Sequence, residues 1–97
     1  MELRALRYFA AVVEAGSLTA AAAQLRLSQP SLSVAIGKLE TEVGVPLLVR
    51  SPRGVAPTSA GRYLLDASSR LLGDADDITL NLRRYGAGLA GTLTIAA

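Results

Sequence analysis

The sequence predicts a mainly α-helical fold in which three short helices and a two-stranded hairpin precede one long helix. Alanine supplies much of the 51% hydrophobic content of the 97 residues, which favours helix over sheet. Apolar residues recur at intervals of three and four along four stretches, and one short apolar segment with turn residues interrupts them. A chain of this length forms one small domain, or a domain with an extension.

The composition excludes several classes of chemistry. The chain has no cysteine and no histidine, so disulfides, thiolate chemistry, imidazole catalysis and the commonest zinc sites are ruled out. We expect no metal and no cofactor. No apolar run approaches the roughly 18 residues that a membrane span needs, and the N-terminus lacks a signal pattern, so we expect a soluble, cytoplasmic protein with no membrane partner. The net charge of +2 permits a polyanionic partner.

The first two helices are predicted from their apolar faces and their end signals. The first covers Glu2 to Ala15 and stops at Gly16, a natural C-terminal residue. Ser17 can cap a second helix over residues 18–25 that is rich in alanine, and small residues let another helix cross closely. The apolar face of the first helix consists of Leu3, Leu6, Phe9, Ala10 and Val13.

A third helix is predicted from Ser28, a plausible N-cap, to Val43, with Gly44 as its stop. One face is apolar and is expected to be buried: Leu32, Ala35, Ile36, Leu39 and Val43. The opposite face consists of Pro30, Ser33, Val34, Gly37, Lys38 and Thr41. This outer face is small and weakly polar and carries a single charge, unlike an ordinary solvated face. It suits close approach to a large partner, and the DNA major groove admits such a helix.

Only residues 26–28 separate the second and third helices, so the pair forms a helix-turn-helix. Many helical hairpins that never bind DNA share this spacing. The next segment predicts a small two-stranded wing over residues 45–57, with turn residues at 51–54, Arg53 near the tip and Arg50 at the base. These arginines could contact phosphates or a minor groove, or they could be ordinary solvated charges. Residues 1–57 hold six basic and four acidic residues and therefore carry the whole positive excess.

The last segment predicts one long helix, capped by Thr58 and free of proline to about Gly86. Its apolar and small residues follow a heptad-like seam over roughly four heptads, which predicts packing against another helix. Leu65 and Leu72 widen this stripe, so the helix is also expected to contact the N-terminal domain. The seam runs through Gly61, Leu64, Ser68, Leu71, Ala75, Ile78, Leu82 and Tyr85, and Leu89 continues it; we predict dimerisation through Leu64, Leu71, Ala75, Ile78, Leu82 and Tyr85.

Several short segments occur in a characteristic order along the chain. They are Leu3-Arg4-Ala5-Leu6-Arg7-Tyr8-Phe9, Gly16-Ser17-Leu18-Thr19-Ala20-Ala21-Ala22, Leu27-Ser28-Gln29-Pro30-Ser31-Leu32-Ser33, Ile36, Leu39-Glu40, Leu47, Arg50, Thr58-Ser59-Ala60-Gly61 and Gly91-Thr92-Leu93-Thr94-Ile95. In this order they resemble the N-terminal part of a LysR-type transcriptional regulator, through almost the whole chain. The resemblance implies a winged helix-turn-helix over residues 1–57, a dimerising linker helix over 58–90, and the start of a truncated effector-binding domain at 91–97.

The resemblance further implies that a homodimer binds a pseudo-palindromic operator in double-stranded DNA. Family members commonly form tetramers and bend their DNA, and a small-molecule effector is expected only for the missing C-terminal domain. Position by position, the groove-facing motif falls on Ser28, Gln29, Pro30, Ser31 and Ser33, and the basic wing falls on Arg50 and Arg53. Val34 and Lys38 complete the set of residues predicted to contact DNA. Gln29 could pair with adenine through two hydrogen bonds.

Four positions depart from the family pattern where contact is expected. The family often has arginine at Val34, a polar residue at Ala35, and basic residues at Gly37 and Ala20. Each lost base contact would weaken binding by roughly 1 to 3 kcal/mol. Alternatively, Val34 could lie against a thymine methyl group and change the sequence preference, or peripheral positions could tolerate the change. The operator therefore cannot be transferred from relatives.

Two other classes of function remain beside specific DNA binding. The chain could be a dimerisation or protein-interaction module with weakened or lost DNA binding, which the small apolar residues at 34, 35 and 37 favour. An enzyme has little support, because no histidine or cysteine base, nucleophile elbow or phosphate loop is present. No catalytic residue is therefore predicted.

Overall fold

A computed structural model describes residues 1–89. It contains four α-helices and one two-stranded antiparallel sheet, and a single π-helical turn extends the last helix. The predicted fold class, a winged helix-turn-helix followed by a long helix, is confirmed. In chain order the elements are α1 (Leu3–Ala15), α2 (Leu18–Leu25), α3 (Gln29–Val43), β1 (Leu48–Ser51), β2 (Gly54–Pro57), α4 (Ser59–Arg84) and the π-helical turn (Tyr85–Leu89).

The helix ends follow the predicted local chemistry. The Ser17 hydroxyl accepts a hydrogen bond from the Ala20 amide at 3.2 Å, and Gly16 ends α1 in a left-handed conformation. The Ser28 hydroxyl accepts a hydrogen bond from the Ser31 amide at 3.2 Å, so α3 begins one residue later, at Gln29. Such caps satisfy amide groups that have no partner inside the helix.

The core lies where α1, α2 and α3 cross, and the side chains of Phe9, Leu32 and Ile36 are completely buried. Two details of the predicted faces were wrong. In α1 Val12 is fully buried, whereas Ala10 and Val13 are half-buried, because the buried stripe follows intervals of three from Leu6 through Phe9 to Val12. Leu3 and Val43 are exposed, because each occupies the terminal turn of its helix beyond the core. Other core residues are Leu18, Ala21, Ala22, Leu39, Leu47 and Leu48.

The wing is shorter than predicted, since β1 begins at Leu48 and residues 45–47 form a connection. In the connection the Leu47 carbonyl accepts a hydrogen bond from the Thr58 amide at 3.0 Å, and this bond is not part of the sheet. The strands pair from Leu48 opposite Pro57 to Ser51 opposite Gly54. Arg50 therefore lies beside the turn, and its predicted place at the base of the wing was wrong.

The junction between the wing and α4 is tightly packed. The Thr58 hydroxyl accepts a hydrogen bond from the Gly61 amide at 3.0 Å and donates one to the Pro46 carbonyl at 2.8 Å. A Cβ atom at Gly61 would collide with the Leu47 carbonyl oxygen. Glycine is therefore required at this position by the close approach of two backbone segments.

The long helix α4 contacts the N-terminal bundle mainly through its first half. Leu64 and Leu65 pack against the core, and Ser68 is buried and donates a hydrogen bond to the Leu65 carbonyl at 3.2 Å. Farther along, the large apolar side chains of Leu71 and Ile78 are exposed. No helix in residues 1–89 is long and apolar enough to cross a membrane. The segment 91–97, predicted to begin a further domain, lies outside the described residues.

Candidate nucleic-acid interface

The outer face of α3 presents the side chains of Pro30, Val34 and Lys38 along one line, spaced one helical turn apart. All three are exposed, and the side chain of Val34 is 57% exposed. Together with Ser31 and Ala35 they line a shallow cleft of about 440 Å³. The inner face of the same helix packs into the core, so the helix is held firmly while its outer face stays open.

The N-terminal turn of α3 carries four exposed residues of the predicted groove-facing motif, namely Ser28, Gln29, Pro30 and Ser31. The Ser28 hydroxyl caps the helix and donates a hydrogen bond to the Ser31 hydroxyl at 2.8 Å. Amide groups at a helix N-terminus attract anions, because they carry partial positive charge. This turn can therefore approach a phosphate group as well as a base edge.

The wing is joined to α3 by a hydrogen bond that sequence analysis did not anticipate. An Nη atom of Arg50 donates to the Ser33 hydroxyl at 3.2 Å. Arg53 lies in the two-residue turn, is exposed, and donates its amide hydrogen to the Ser51 hydroxyl at 3.2 Å. Arg50 therefore joins the wing to the outer face of α3, and Arg53 lies three residues further along the wing.

Glu40 holds the wing against α3, a role that sequence analysis did not predict. One carboxylate oxygen accepts hydrogen bonds from the amides of Leu47 at 2.6 Å and Leu48 at 3.3 Å. These bonds attach the start of the wing to α3 and so fix the distance between the two parts of the surface. The spacing of residues gave no signal for this role, because the partners of Glu40 lie seven and eight positions away, beyond the end of α3.

Comparison with known proteins decides the family of this chain. Residues 3–62 match the family described as bacterial regulatory helix-turn-helix protein, lysR family. The chain belongs to the LysR family. It is 40% identical over 94 residues to the HTH-type transcriptional regulator XapR of Escherichia coli strain K12, covering 97% of this chain and 32% of that protein. It is 51% identical over 84 residues to the Hca operon transcriptional activator HcaR of the same organism, covering 87% of this chain and 28% of that protein.

Solved structures of LysR-family proteins share the fold. The BenM_DBD/catB site 1 DNA complex superposes with a TM-score of 0.85 at 43% identity, covering 91% of this chain and 98% of that one. Full-length CbnR complexed with its target DNA superposes with a TM-score of 0.79 at 43% identity, covering 87% of this chain and 29% of that one. The chain spans about a third of the length of the curated relatives it matches first. The relatives are described as transcriptional regulators.

The charges of this LysR-family chain leave the candidate surface positive. Within residues 1–89, the ion pairs join Arg7 to Asp76 at 2.9 Å and the N-terminal ammonium to Glu42 at 2.6 Å. The second pair raises the pKa of the ammonium through its hydrogen bond and its attraction to Glu42. Neither pair involves Lys38, Arg50 or Arg53, so all three charges remain available to a polyanion.

The residues predicted to dimerise can also be placed. Of the predicted dimerisation residues, Leu64 packs against the core of its own chain and Ala75 is half-buried. The remaining four are exposed from the middle of α4 onward: Leu71, Ile78 and Leu82 in α4, and Tyr85 at the start of the π-helical turn. No cluster of three metal-ligating side chains occurs in the described part of the chain.

Proposed function

We propose that this chain binds duplex DNA sequence-specifically as a homodimer and serves in transcription regulation in the cytoplasm. The observation that carries the proposal is the continuous surface formed by the outer face of α3 and the wing, joined by the bond from Arg50 to Ser33. α3 would enter the major groove, which has the width to admit a helix. The DNA complexes of BenM and CbnR, at 43% identity, support the same use of this fold.

The proposed contacts divide into two kinds. Lys38, Arg50 and Arg53 would contact phosphates, which supply affinity and make it depend on salt. Residues of the first turns of α3 would contact base edges, which supply specificity: Ser28, Gln29, Pro30, Ser31, Ser33 and Val34. Gln29 has the amide geometry to pair with adenine through two hydrogen bonds. No catalytic step is part of this function.

Dimerisation is assigned to the exposed apolar residues of α4. Leu71, Ile78 and Leu82 recur at intervals of seven and four on one side of the helix, which is a coiled-coil spacing. Two copies would bury these side chains against each other and place two α3 helices on one DNA duplex. A symmetric dimer binds a pseudo-palindrome, because its two-fold axis relates the two half-sites. In this arrangement residues 1–57 bind DNA and residues 58–90 dimerise.

A second candidate, an interaction module that no longer binds specific DNA, is favoured by the apolar outer face at Val34 and Ala35. The two candidates make different predictions for a selection experiment. The purified chain would select from random duplex DNA, and its affinity for the enriched site would be measured at about 50 and 200 mM salt. We expect an enriched pseudo-palindrome and a loss of about 10³ in affinity for about six phosphate contacts.

An Arg53→Ala variant sharpens the selection experiment. The homodimer carries Arg53 twice, so the variant removes two phosphate contacts. It should weaken binding to all sequences about equally and lower the logarithmic salt slope by about 2. Binding with no enriched site would contradict the proposal and favour the interaction module, whose active part would be the apolar side of α4.

A further inference from the structure

Val34 occupies the centre of the outer face of α3. It lies one turn after Pro30 and one turn before Lys38, and its side chain is 57% exposed. In a small helical domain an exposed valine at this position contributes nothing to the core, which the opposite face of the helix supplies. Any contact that Val34 makes in its full function must therefore be with a partner.

The polar neighbours of Val34 are partly used inside the chain. The Ser31 hydroxyl accepts a hydrogen bond from the Ser28 hydroxyl at 2.8 Å, and the Ser33 hydroxyl accepts one from Arg50 at 3.2 Å. Val34 itself has no donor or acceptor in its side chain. It therefore cannot distinguish base edges by hydrogen bonding. Only contact with an apolar group of the partner would make burial of its side chain favourable.

The major groove of DNA presents one apolar group, the C5 methyl of thymine. The cleft around Val34 supports close contact with such a group, because Pro30 and Ala35 line it with short, apolar surfaces. Gly37, three residues after Val34, leaves further open space beside the helix. A short side chain such as valine needs this close approach, whereas an arginine could reach a base from farther away.

We infer that Val34 is a specificity-determining residue that selects thymine by contact between its methyl groups and the C5 methyl of the base. The inference rests on the proposed function, since it requires α3 to lie in the major groove. It assigns to this chain a preference that relatives with other residues at this position need not share. Lys38, one turn on, would hold the neighbouring phosphate and keep the helix at the required depth.

The test replaces each thymine of the selected half-site, one at a time, by deoxyuracil, which lacks only the C5 methyl group. At one position the unmodified chain should bind the uracil duplex about fourfold more weakly per half-site, and about 15-fold when both half-sites are changed, as expected for losing one buried methyl group. The other thymines should tolerate the change.

Val34→Ala is the second arm of the test. This variant should bind the thymine duplex more weakly. The ratio of its affinities for the thymine and uracil duplexes should fall below about 1.5, because the methyl groups of Val34 and of thymine are energetically coupled. The matched control is Val49→Ala, which removes the same atoms from a wing valine that is 54% exposed. Val49→Ala should keep the ratio of affinities for the thymine and uracil duplexes that the unmodified chain shows.

The outcomes separate this inference from the proposed function. An enriched site whose thymines all tolerate uracil would overturn the role of Val34 and leave DNA binding intact. A Val34→Ala variant that keeps the fourfold ratio would also overturn it, because another side chain would then contact the methyl group. Absence of any enriched site would remove the proposed function and this inference together.

Discussion

The two halves of α4 differ in what their apolar residues contact. In the first half, Leu64 and Leu65 pack against the core of the N-terminal helices. From the middle of the helix onward, Leu71, Ile78 and Leu82 are 52%, 61% and 61% exposed. The folding of one chain explains the first half, whereas the second half carries an apolar stripe that a single chain leaves in water. One continuous heptad-like pattern can therefore serve two separate packing partners.

α3 shows the same division around its axis instead of along it. Leu32, Ile36 and Leu39 are buried in the core, and Val34 and Lys38 lie open on the other side. Substitutions on the packed regions should therefore change the free energy of unfolding. Substitutions on the open regions should change association with a partner.

The largest effect is expected from Leu71→Asp combined with Ile78→Asp. A symmetric dimer would then bury four carboxylates in an apolar contact, which should weaken association by at least about 5 kcal/mol. Sedimentation velocity should show a monomer, and far-UV circular dichroism should show unchanged helix content. Binding to an operator with two half-sites should weaken as well.

The control for this double variant is Leu80→Asp, which changes an exposed leucine that lies outside the stripe. This variant should sediment as the unmodified dimer. If the double variant also sediments as a dimer, the assignment of the exposed stripe to dimerisation is wrong.

A second prediction compares two glycines of α4. Gly61→Ala should lower the free energy of unfolding by about 3 kcal/mol, because the new methyl group collides with the Leu47 carbonyl. At Gly73 the new methyl group would point into open space, so Gly73→Ala should raise the free energy of unfolding by about 0.5 to 1 kcal/mol. Urea unfolding at equal protein concentration measures both, since dimerisation makes stability depend on concentration. Equal midpoints for the two variants would contradict the described packing at Gly61.

A small effect on stability is expected from Gly37→Ala. A Cβ atom there meets no neighbour, so the helix should gain about 0.5 to 1 kcal/mol, as for Gly73→Ala. The two variants should differ in DNA affinity. Gly37→Ala should weaken binding to the selected site by about tenfold, because the methyl group keeps α3 from its full depth in the groove. Unchanged affinity would show that Gly37 does not face the DNA.

Much of the fold could be predicted because its signals are local. Ser17, Ser28 and Thr58 each cap the helix that follows them, and Gly16 and Gly44 end the helices that precede them. Capping involves residues only two or three positions apart, so a single sequence contains the necessary information. The same holds for the buried face of α3, which follows from helical spacing.

The parts that could not be predicted depend on contacts between distant residues. The bond from Arg50 to Ser33 joins residues 17 positions apart, and its existence depends on how the wing folds back onto α3. The register of the wing, with its two-residue turn, placed Arg50 beside the turn instead of at the base. For Leu64, a heptad pattern alone could not distinguish packing against its own core from packing against a second chain.

The most direct test of the central claim is a nuclear magnetic resonance titration of the ¹⁵N-labelled chain with the selected duplex. We expect the largest amide shift changes in residues 28–38 and 50–53. The exposed stripe of α4 should change little, because in the proposed dimer it is covered by the second copy. Large changes confined to α4, with residues 28–38 unaffected by a saturating duplex, would contradict the claim that α3 and the wing bind DNA.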